Sequence, residues 1–427
     1  VSTSLPKTWR VVYPEDIVSE PRAIVSGPFG SNIGKRFFVG DGVPVIRGNN
    51  LTLGKKRFID EGFVFLTEEK SKEFKNCQAI AGDLVFTAAG TLGQVGLIPE
   101  NSRFSVYIIS NKQLRLRPDI KKAFPEYLYY WFSSVRIRNY IIGLNTGSSV
   151  PLITLGKLRS VPINLPPIQV QRKIVDLLAA YDHLIENNTR RIKILEEMAR
   201  LIYREWFVDF KAPGIKLRKA TPEENKVTGK DVIPEGWEVK QIINFGVVAT
   251  GKTQSKERKD FYGDFMQFIK TPDMHGNMFI LNTSDKLSQL GAESQRGKIL
   301  PPDSIYVSCI GTVGVISITT EPAQTNQQIN SITLKEEVAR EYLFYALQNI
   351  VPTMKQYAGT GATMDNLSKG KFESLNIVSP SDSILEKFNS NVSSMFDEIK
   401  KLSEKNQNLR QTRDLLLPKL ISGEVEV

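Results

Sequence analysis

The stretch GVVATGKT, residues 246–253, carries the most explicit chemical signal in the chain. Gly246, Gly251, Lys252 and Thr253 fill every fixed position of G-x-x-x-x-G-K-[ST], the loop whose amides and lysine cradle nucleotide phosphates. Such a loop works between a buried strand and a helix, because loop amides and helix N-terminus must point at the same phosphates. WEVKQIINF precedes it and could be a strand, but QSKERKDFYGDF follows, with no apolar face to hold a helix on a sheet. An aspartate closing an apolar strand, to hold magnesium, is also missing; the nearest, in WFVD (206–209), ends a helical pattern. Nucleotide hydrolysis is not expected. The glycine reads better as a turn, with Lys252 and Thr253 as contacts to a phosphate of another kind.

Other chemistries fare no better. The chain contains no G-x-S-x-G elbow, no H-E-x-x-H and no paired C-x-x-C. Cys77, Cys309, His183 and His275 are too few and too scattered for a common metal site, so none is expected. LPPIQ (165–169) has a Pro-Pro pair without the flanking residues of an adenine methyltransferase tetrapeptide. No catalytic residue is expected, and the chain reads as a binding protein. Two distant cysteines suit a reducing cytoplasm. The start of the chain has no apolar secretory core, and no run of eighteen apolar residues occurs, so no membrane association is expected.

Net charge is +10, which favours a polyanionic partner. The excess is local. Residues 1–165 hold 22 Lys and Arg against 13 Asp and Glu, whereas residues 235–380 hold 14 against 15.

The chain of 427 residues is written twice. TGSSVPLITLGKL (146–158) lies over TGATMDNLSKGKF (360–372), and PEYLYY (125–130) over REYLFY (340–345). FTAAGTLGQVGLI (86–98) lies over YVSCIGTVGVISI (306–318), and LPKTWRV (5–11) over IPEGWEV (233–239). Their common order argues for a tandem duplication. Runs such as VPVIRG, DLVFTAAG, MQFIK and SIYVSCIG predict short strands joined by turns. EYLYYWFSSVRIRNYI (126–141) and EYLFYALQNIVPTMKQY (341–357) predict one helix per copy.

Each copy ends in a long helical pattern. Ile174, Leu178, Tyr181, Ile185, Asn188, Ile192, Leu195, Ala199, Ile202 and Trp206 alternate spacings of four and three. Phe388, Val392, Met395, Ile399, Leu402, Asn406, Leu409, Arg413, Leu416 and Leu420 do the same. A sustained 3.5-residue period predicts a coiled coil; an amphipathic helix packed on its own domain is the other arrangement. Antiparallel pairing sets Ile174 opposite Leu420, Trp206 opposite Phe388 and Asn188 opposite Asn406. Parallel pairing would strand both amides among apolar residues, at about 1–3 kcal/mol each. An antiparallel pair with a pseudo-twofold axis is therefore expected. Pro418 is expected to kink or end the second helix. The resulting fold class is α+β: two similar strand-rich α/β domains separated by two long helices. The expected boundaries are domain 1–165, helix 166–210, linker 211–233, domain 234–380 and helix 381–427.

At these residues the chain resembles the specificity subunit of type I restriction–modification systems. The resemblance is carried by LPPIQVQRKIVDLLAAYDHLIENNTRRIKILEEMARLIYREWFVDF (165–210) with IPEGWEVK (233–240), and by GTGATMDNLSKGKFESLNI (359–377) with LLLPKLISGEV (415–425). It covers the whole chain and is sharpest in the helices. It implies two target-recognition domains, each reading half of a split site in double-stranded DNA, spaced by an antiparallel coiled coil. It also implies two methyltransferase subunits and restriction–translocase subunits as partners. S-adenosylmethionine, ATP and Mg are then expected on those partners, and none on this chain. A coiled-coil DNA-binding regulator or transposition factor is the alternative.

Base edges are read by Arg, Lys, Asn, Gln, Ser and Thr on loops, and phosphates by cations and turn amides. The first domain offers Lys35 and Arg36, then Arg47, Asn49 and Asn50 in IRGNN. It also offers Ser110, Asn111, Lys112 and Gln113 in SNKQ, and Thr146, Ser148 and Ser149 in NTGSS. The second offers Lys252, Thr253, Gln254, Lys256 and Arg258, then Lys270, Thr271 and Asp273 in IKTPD. Asn326, Gln327 and Gln328 in TNQQ, and Thr360 and Thr363 in TGAT, complete the set. The basic triplet Lys55, Lys56 and Arg57 suits a solvated loop or a phosphate contact.

Overall fold

The structure, a computed structural model, describes residues 5–53, 56–359 and 365–427. The chain divides into two compact units, Val1–Leu184 with Leu409–Val427, and Ile185–Asn408. Compactness thus cuts both long helices, whereas the sequence boundaries follow the chain. The reason is in the cores: each globular part shares its core with the helix segments that lie against it.

In the first unit, a four-stranded antiparallel sheet has the order 24–26, 113–116, 84–87, 95–97. A second sheet runs 64–66, 43–46, 107–109, 78–79, with its central pair parallel. The strands are short, and those of the first sheet are almost wholly buried, which suits their Val, Ile, Leu and Phe content. Strand 10–12 pairs with 163–165 and closes the domain at its base.

The second unit repeats this plan. Its larger sheet has the order 246–250, 329–334, 305–308, 316–319, with the short strand 279–280 added at the edge. Its other sheet, 285–287, 262–269, 323–325, again contains an antiparallel and a parallel pair. Strand 238–241 pairs with 376–379 as the closing ribbon.

The helix expected once per copy is broken in both. In the first unit it divides into Pro125–Ser133 and Val135–Gly143, because Ser134 is extended and its hydroxyl caps the Ile137 amide. In the second it divides into Arg340–Asn349 and Val351–Ala358, with Pro352 in the first turn of the latter.

Helix α1 spans Ile168–Tyr203 and continues as a π-helical turn to Val208. Helix α2 spans Asp382–Ser422. It runs through Pro418, where a kink or an end was expected. Leu417, Leu420 and Ile421 are all buried, so packing holds the last turn despite the missing amide. In the second unit, the latter part of α1 lies antiparallel to the first part of α2. Asn188 Nδ2 donates to Asn406 Oδ1 at 3.0 Å, Asn406 Nδ2 donates to Thr189 Oγ1 at 3.3 Å, and Thr189 donates to the Ile185 carbonyl at 2.7 Å. Both amides are nearly buried, at 5% and 2% exposure, yet neither is left unpaired. Arg191 pairs with Glu398 at 2.8 Å, and the Trp206 ring lies 5.9 Å from Phe388.

The apolar seam residues divide by burial. Ala199, Phe388, Val392, Ile399 and Leu402 are buried, and Ile192, Leu195, Ile202, Trp206 and Met395 pack partly buried against the same core. Ile185 is half-buried. In the first unit, Ile174, Leu178 and Leu420 are fully buried, Leu416 packs on them, and Tyr181 and Leu409 are half-buried. Each helix also turns a second face inward: Val175, Tyr203 and Phe207 on α1, Phe396 and Ile421 on α2. The helices therefore form a paired seam and part of each domain's core at once.

The two joints between helix and domain differ in chemistry. In the first unit Asp182 accepts from Tyr130 at 2.6 Å and from Arg413 at 2.7 Å, and Arg57 reaches both Tyr130 and Asp182. Burial pushes the Tyr130 phenol well above its usual range, so it remains a donor. In the second unit the repeat places Phe396 where Asp182 stands and Ala199 where Arg413 stands. There Tyr345 meets the Phe396 ring edge-on at 5.8 Å and donates to the Glu196 carbonyl at 3.0 Å.

Residues 211–233, expected as a linker, are folded. Strands Leu217–Lys219 and Val232–Pro234 pair around the helix Pro222–Thr228. Arg218 forks onto Glu224 at 2.6 and 2.8 Å, and the Thr221 amide adds a third bond, which holds the Glu224 carboxyl down to about 2. Phe210, Ala212 and Ile233 belong to the unit's core. Of the charges that suggested a spacer, Arg218 and Glu224 are spent on each other, and Asp231 accepts from Asn225 at 3.0 Å. No helix among the described residues is long and apolar enough to cross a membrane.

The amide pair makes a direct prediction. Asn188→Ala or Asn406→Ala leaves the other amide unsatisfied and should cost about 1–3 kcal/mol in denaturant unfolding. The double variant Asn188→Leu/Asn406→Leu should recover most of that loss. A double variant as unstable as the singles would mean that the pair is not the source.

Candidate nucleic-acid interface

In the first unit, four loops are zipped together by backbone hydrogen bonds. The Gly27 amide donates to the Gln113 carbonyl at 2.9 Å, tying loop 26–32 to loop 110–113. Ala88 donates to Lys112 at 2.7 Å, Gly90 to Pro151 at 2.9 Å, and Ile153 to Ala88 at 2.8 Å. Loop 88–93 thereby joins loop 110–113 to loop 145–152. A fifth segment, IRGNN, adjoins the set because the Ser110 amide donates to Ile46 at 3.0 Å.

The second unit reproduces this lattice. Cys309 donates to Gln328 at 2.7 Å, Gly311 to Asp365 at 2.9 Å, Leu367 to Cys309 at 2.8 Å, and Asn326 to Ile269 at 3.2 Å. The lattice also fixes how the two loops align, where the shared polar residues would set SNKQ over TNQQ. Gln113 closes a turn on Ser110 at 3.0 Å, as Ile329 does on Asn326 at 3.3 Å. Ser110 therefore stands where Asn326 does, and SNKQ corresponds to NQQI rather than to TNQQ. The glycines sit where backbones nearly touch. A Cβ on Gly27 would overlap the Ser110 carbonyl, and one on Gly251 would overlap Thr325 and the Asn326 carbonyl.

This explains GVVATGKT. Gly246–Thr250 is a strand, Gly251 is the close approach to loop 325–328, and residues 251–258 contain no helix. The phosphate-loop pattern here is a strand and a turn.

Several expected readers are committed internally. Asn50 is fully buried and accepts the Arg47 amide at 2.9 Å while donating to the Ile59 and Glu61 carbonyls. Asp273 plays the same part, accepting the Lys270 amide at 2.9 Å and the Ser284 amide at 2.9 Å. Ser110 and Gln113 are buried and bonded to each other, and Gln254 is buried against Gly291 and Gln324. Thr271 is buried with its hydroxyl unpartnered, and Asn326 bonds Gln328 at 3.0 Å. These residues build the loops. The sequence marked them as polar turn residues, a signature that caps and readers share.

The remaining candidates are at the surface. Lys35, Arg36, Asn49, Asn111, Lys112, Thr146, Ser148 and Ser149 lie at the surface of the first unit. Arg47 is half-exposed. In the second unit Lys252, Thr253, Lys256, Arg258 and Gln327 are exposed; Thr253 bonds Gln327, and Arg258 forks onto Asp260 at 2.7 and 2.9 Å. Lys270 pairs with Asp285. Thr360 and Thr363, with Lys55, lie outside the described residues. Lys56 is exposed, whereas Arg57 is held by Tyr130 and Asp182. Phe29, which charge-based reasoning passes over, is 84% exposed in loop 26–32. Its signal was a lone aromatic within a glycine-rich loop.

Comparison with known proteins agrees with this architecture. Residues 34–197 and 234–411 each match the type I restriction modification DNA specificity domain. The HindI specificity subunit of Haemophilus influenzae is 34% identical over 375 residues, covering 75% of this chain and 81% of that protein. The MjaIX specificity subunit of Methanocaldococcus jannaschii is 27% identical over 429 residues, covering 99% and 95%. A type I S subunit from M. genitalium shares the fold, with a TM-score of 0.57 at 13% identity over 98% of this chain and 97% of that one.

The loop assignments make a stability prediction. Asn50→Ala removes three internal bonds and should lower the unfolding free energy by about 1–3 kcal/mol. Asn49→Ala, with one exposed bond, should stay within about 0.5 kcal/mol. Equal losses in thermal or denaturant melts would refute the division of roles.

Proposed function

The chain belongs to the type I restriction–modification DNA specificity family, and from that premise we propose that it reads a bipartite, asymmetric DNA site, half with each unit. Specificity subunits of this family recognise the DNA target and are themselves non-catalytic. The observation that carries the bipartite reading is the duplicated loop lattice. It presents loops in the same frame in both units, but with different side chains on them. Equal frames suit two half-sites of the same duplex form, and unequal side chains suit two different sequences.

The exposed cations, Lys35, Arg36, Lys112, Lys252 and Lys256, are assigned to phosphates, which fix position without reading sequence. The polar residues Asn49, Asn111, Thr146, Ser148, Ser149 and Gln327 are assigned to groove edges. The paired helices act as the spacer between half-sites. The partners are two methyltransferase subunits, which modify adenine, and restriction–translocase subunits. S-adenosylmethionine, ATP and Mg belong to those partners, and the assembly works in the cytoplasm. Relatives named as the specificity subunits of restriction enzymes support this reading.

The spacer role is testable. Four residues inserted into the helical seam, in the chain co-purified with its methyltransferase partners, should widen the gap in the modified motif. Both half-site sequences should stay the same. Unaltered spacing, read by sequencing modified bases in the host genome, would exclude the helices as the ruler. Lys112→Ala should weaken DNA binding for all sequences alike and lower the salt slope by about 1.

A further inference from the structure

We infer that Arg47 is the residue with which the first unit reads a guanine in its half-site; the inference rests on the DNA-recognition reading above. Arg47 follows the strand 43–46, where that strand runs parallel to 107–109. Its backbone is held on both sides. Its amide donates to Asn50 Oδ1 at 2.9 Å, and its carbonyl accepts the Asn50 amide at 3.0 Å. The preceding carbonyl, of Ile46, accepts the Ser110 amide. The residue is thereby fixed at the foot of the loop set rather than at a tip.

The side chain differs from the unit's other arginines with a buried, unpartnered Nε, Arg57 and Arg115, whose outer nitrogens are bonded. Its Nε is shut off from solvent with no partner, so packing sets the plane of the guanidinium. The group makes no hydrogen bond, ion pair or ring contact among the described residues. Arg36, Arg57, Arg115, Arg117 and Arg138 all donate to protein acceptors. A planar fork held in one orientation, with outer nitrogens unspent, matches the O6 and N7 acceptors of guanine in the major groove. Exposed tips such as Lys112 are better placed for phosphates.

The second unit supplies the contrast. Lys270 occupies the same turn, closed by Asp273 as Arg47's is by Asn50. But Lys270 is paired with Asp285, and the strand registers put Val64 at the matching place in the first unit. The first unit thus keeps the cation and lacks the carboxylate. The acceptor that completes the fork comes from the bound duplex.

The test uses the full chain co-expressed with its methyltransferase partners, with modified bases sequenced genome-wide. Wild type should return a split motif. Arg47→Ala should relax one G·C position in one half only, lowering discrimination there by roughly ten- to a hundredfold. The spacing and the other half should be unchanged, which also shows that the assembly is intact. Arg47→Lys, which keeps charge and stem, should relax the same position less. A variant motif identical to wild type, or a uniform loss at every site, would overturn the assignment, the latter by making Arg47 a phosphate contact. If Arg47→Ala does not assemble, Arg47→Lys decides by the same criterion. A wild type without any split motif would overturn the half-site reading itself.

Discussion

Two side-chain amides buried between helices set the register on which the rest depends. Asn188 and Asn406 satisfy each other and Thr189, so the seam around them can be apolar without an unpaired polar group. A slide of α2 along α1 by one turn would break that circuit. It would also separate Arg191 from Glu398 and Trp206 from Phe388. The cost is not confined to the seam, because the same helices place Tyr203, Phe207 and Phe396 in the globular core. Sliding the helices would therefore unpack the domain. Position along the seam and packing of the domain are one mechanical quantity.

The loops are held by a lattice of backbone bonds that the duplication copied intact. Backbone bonds are indifferent to side chain, so the surface residues can vary while the frame does not. The few side chains that the lattice needs are small or buried. Gly27 and Gly251 allow close approach, and Asn50 and Asp273 close the same turn by the same two bonds. Residues around these fixed points are at liberty to differ between the copies, as Arg47 and Lys270 do.

The helices were legible in the sequence because a 3.5-residue period held over ten layers keeps one apolar stripe on one side of a helix, and little else produces it. The asparagine layer was legible because only one pairing direction spares both amides. Strand-rich duplicated domains were legible from glycine-punctuated β-branched runs. The individual readers were not. Asn50, Gln113 and Gln254 have the composition of exposed loop residues but are spent on backbone carbonyls or on neighbouring polar side chains, and only three-dimensional placement reveals the acceptors. The linker failed for a related reason: Arg218 and Glu224 look solvated until their fork is seen. GVVATGKT was legible as a turn from its context, since no helix could follow it; a strand ending in a close-approach glycine satisfies the same spacing as a phosphate loop. Ser134 was missed because a serine inside an apolar helical pattern gives no sign that its hydroxyl will cap a second helix.

The two unlike joints have a consequence for how the halves could be exchanged. Tyr130 needs a carboxylate on its helix, and Tyr345 needs a ring. A first domain grafted onto the second joint would face Phe396 with a phenol and an arginine lacking an acceptor. A second domain on the first joint would leave Asp182 with Arg413 but without Arg57. Each domain therefore fits one seat, and the difference between the seats is written into the protein interior rather than into its surface loops.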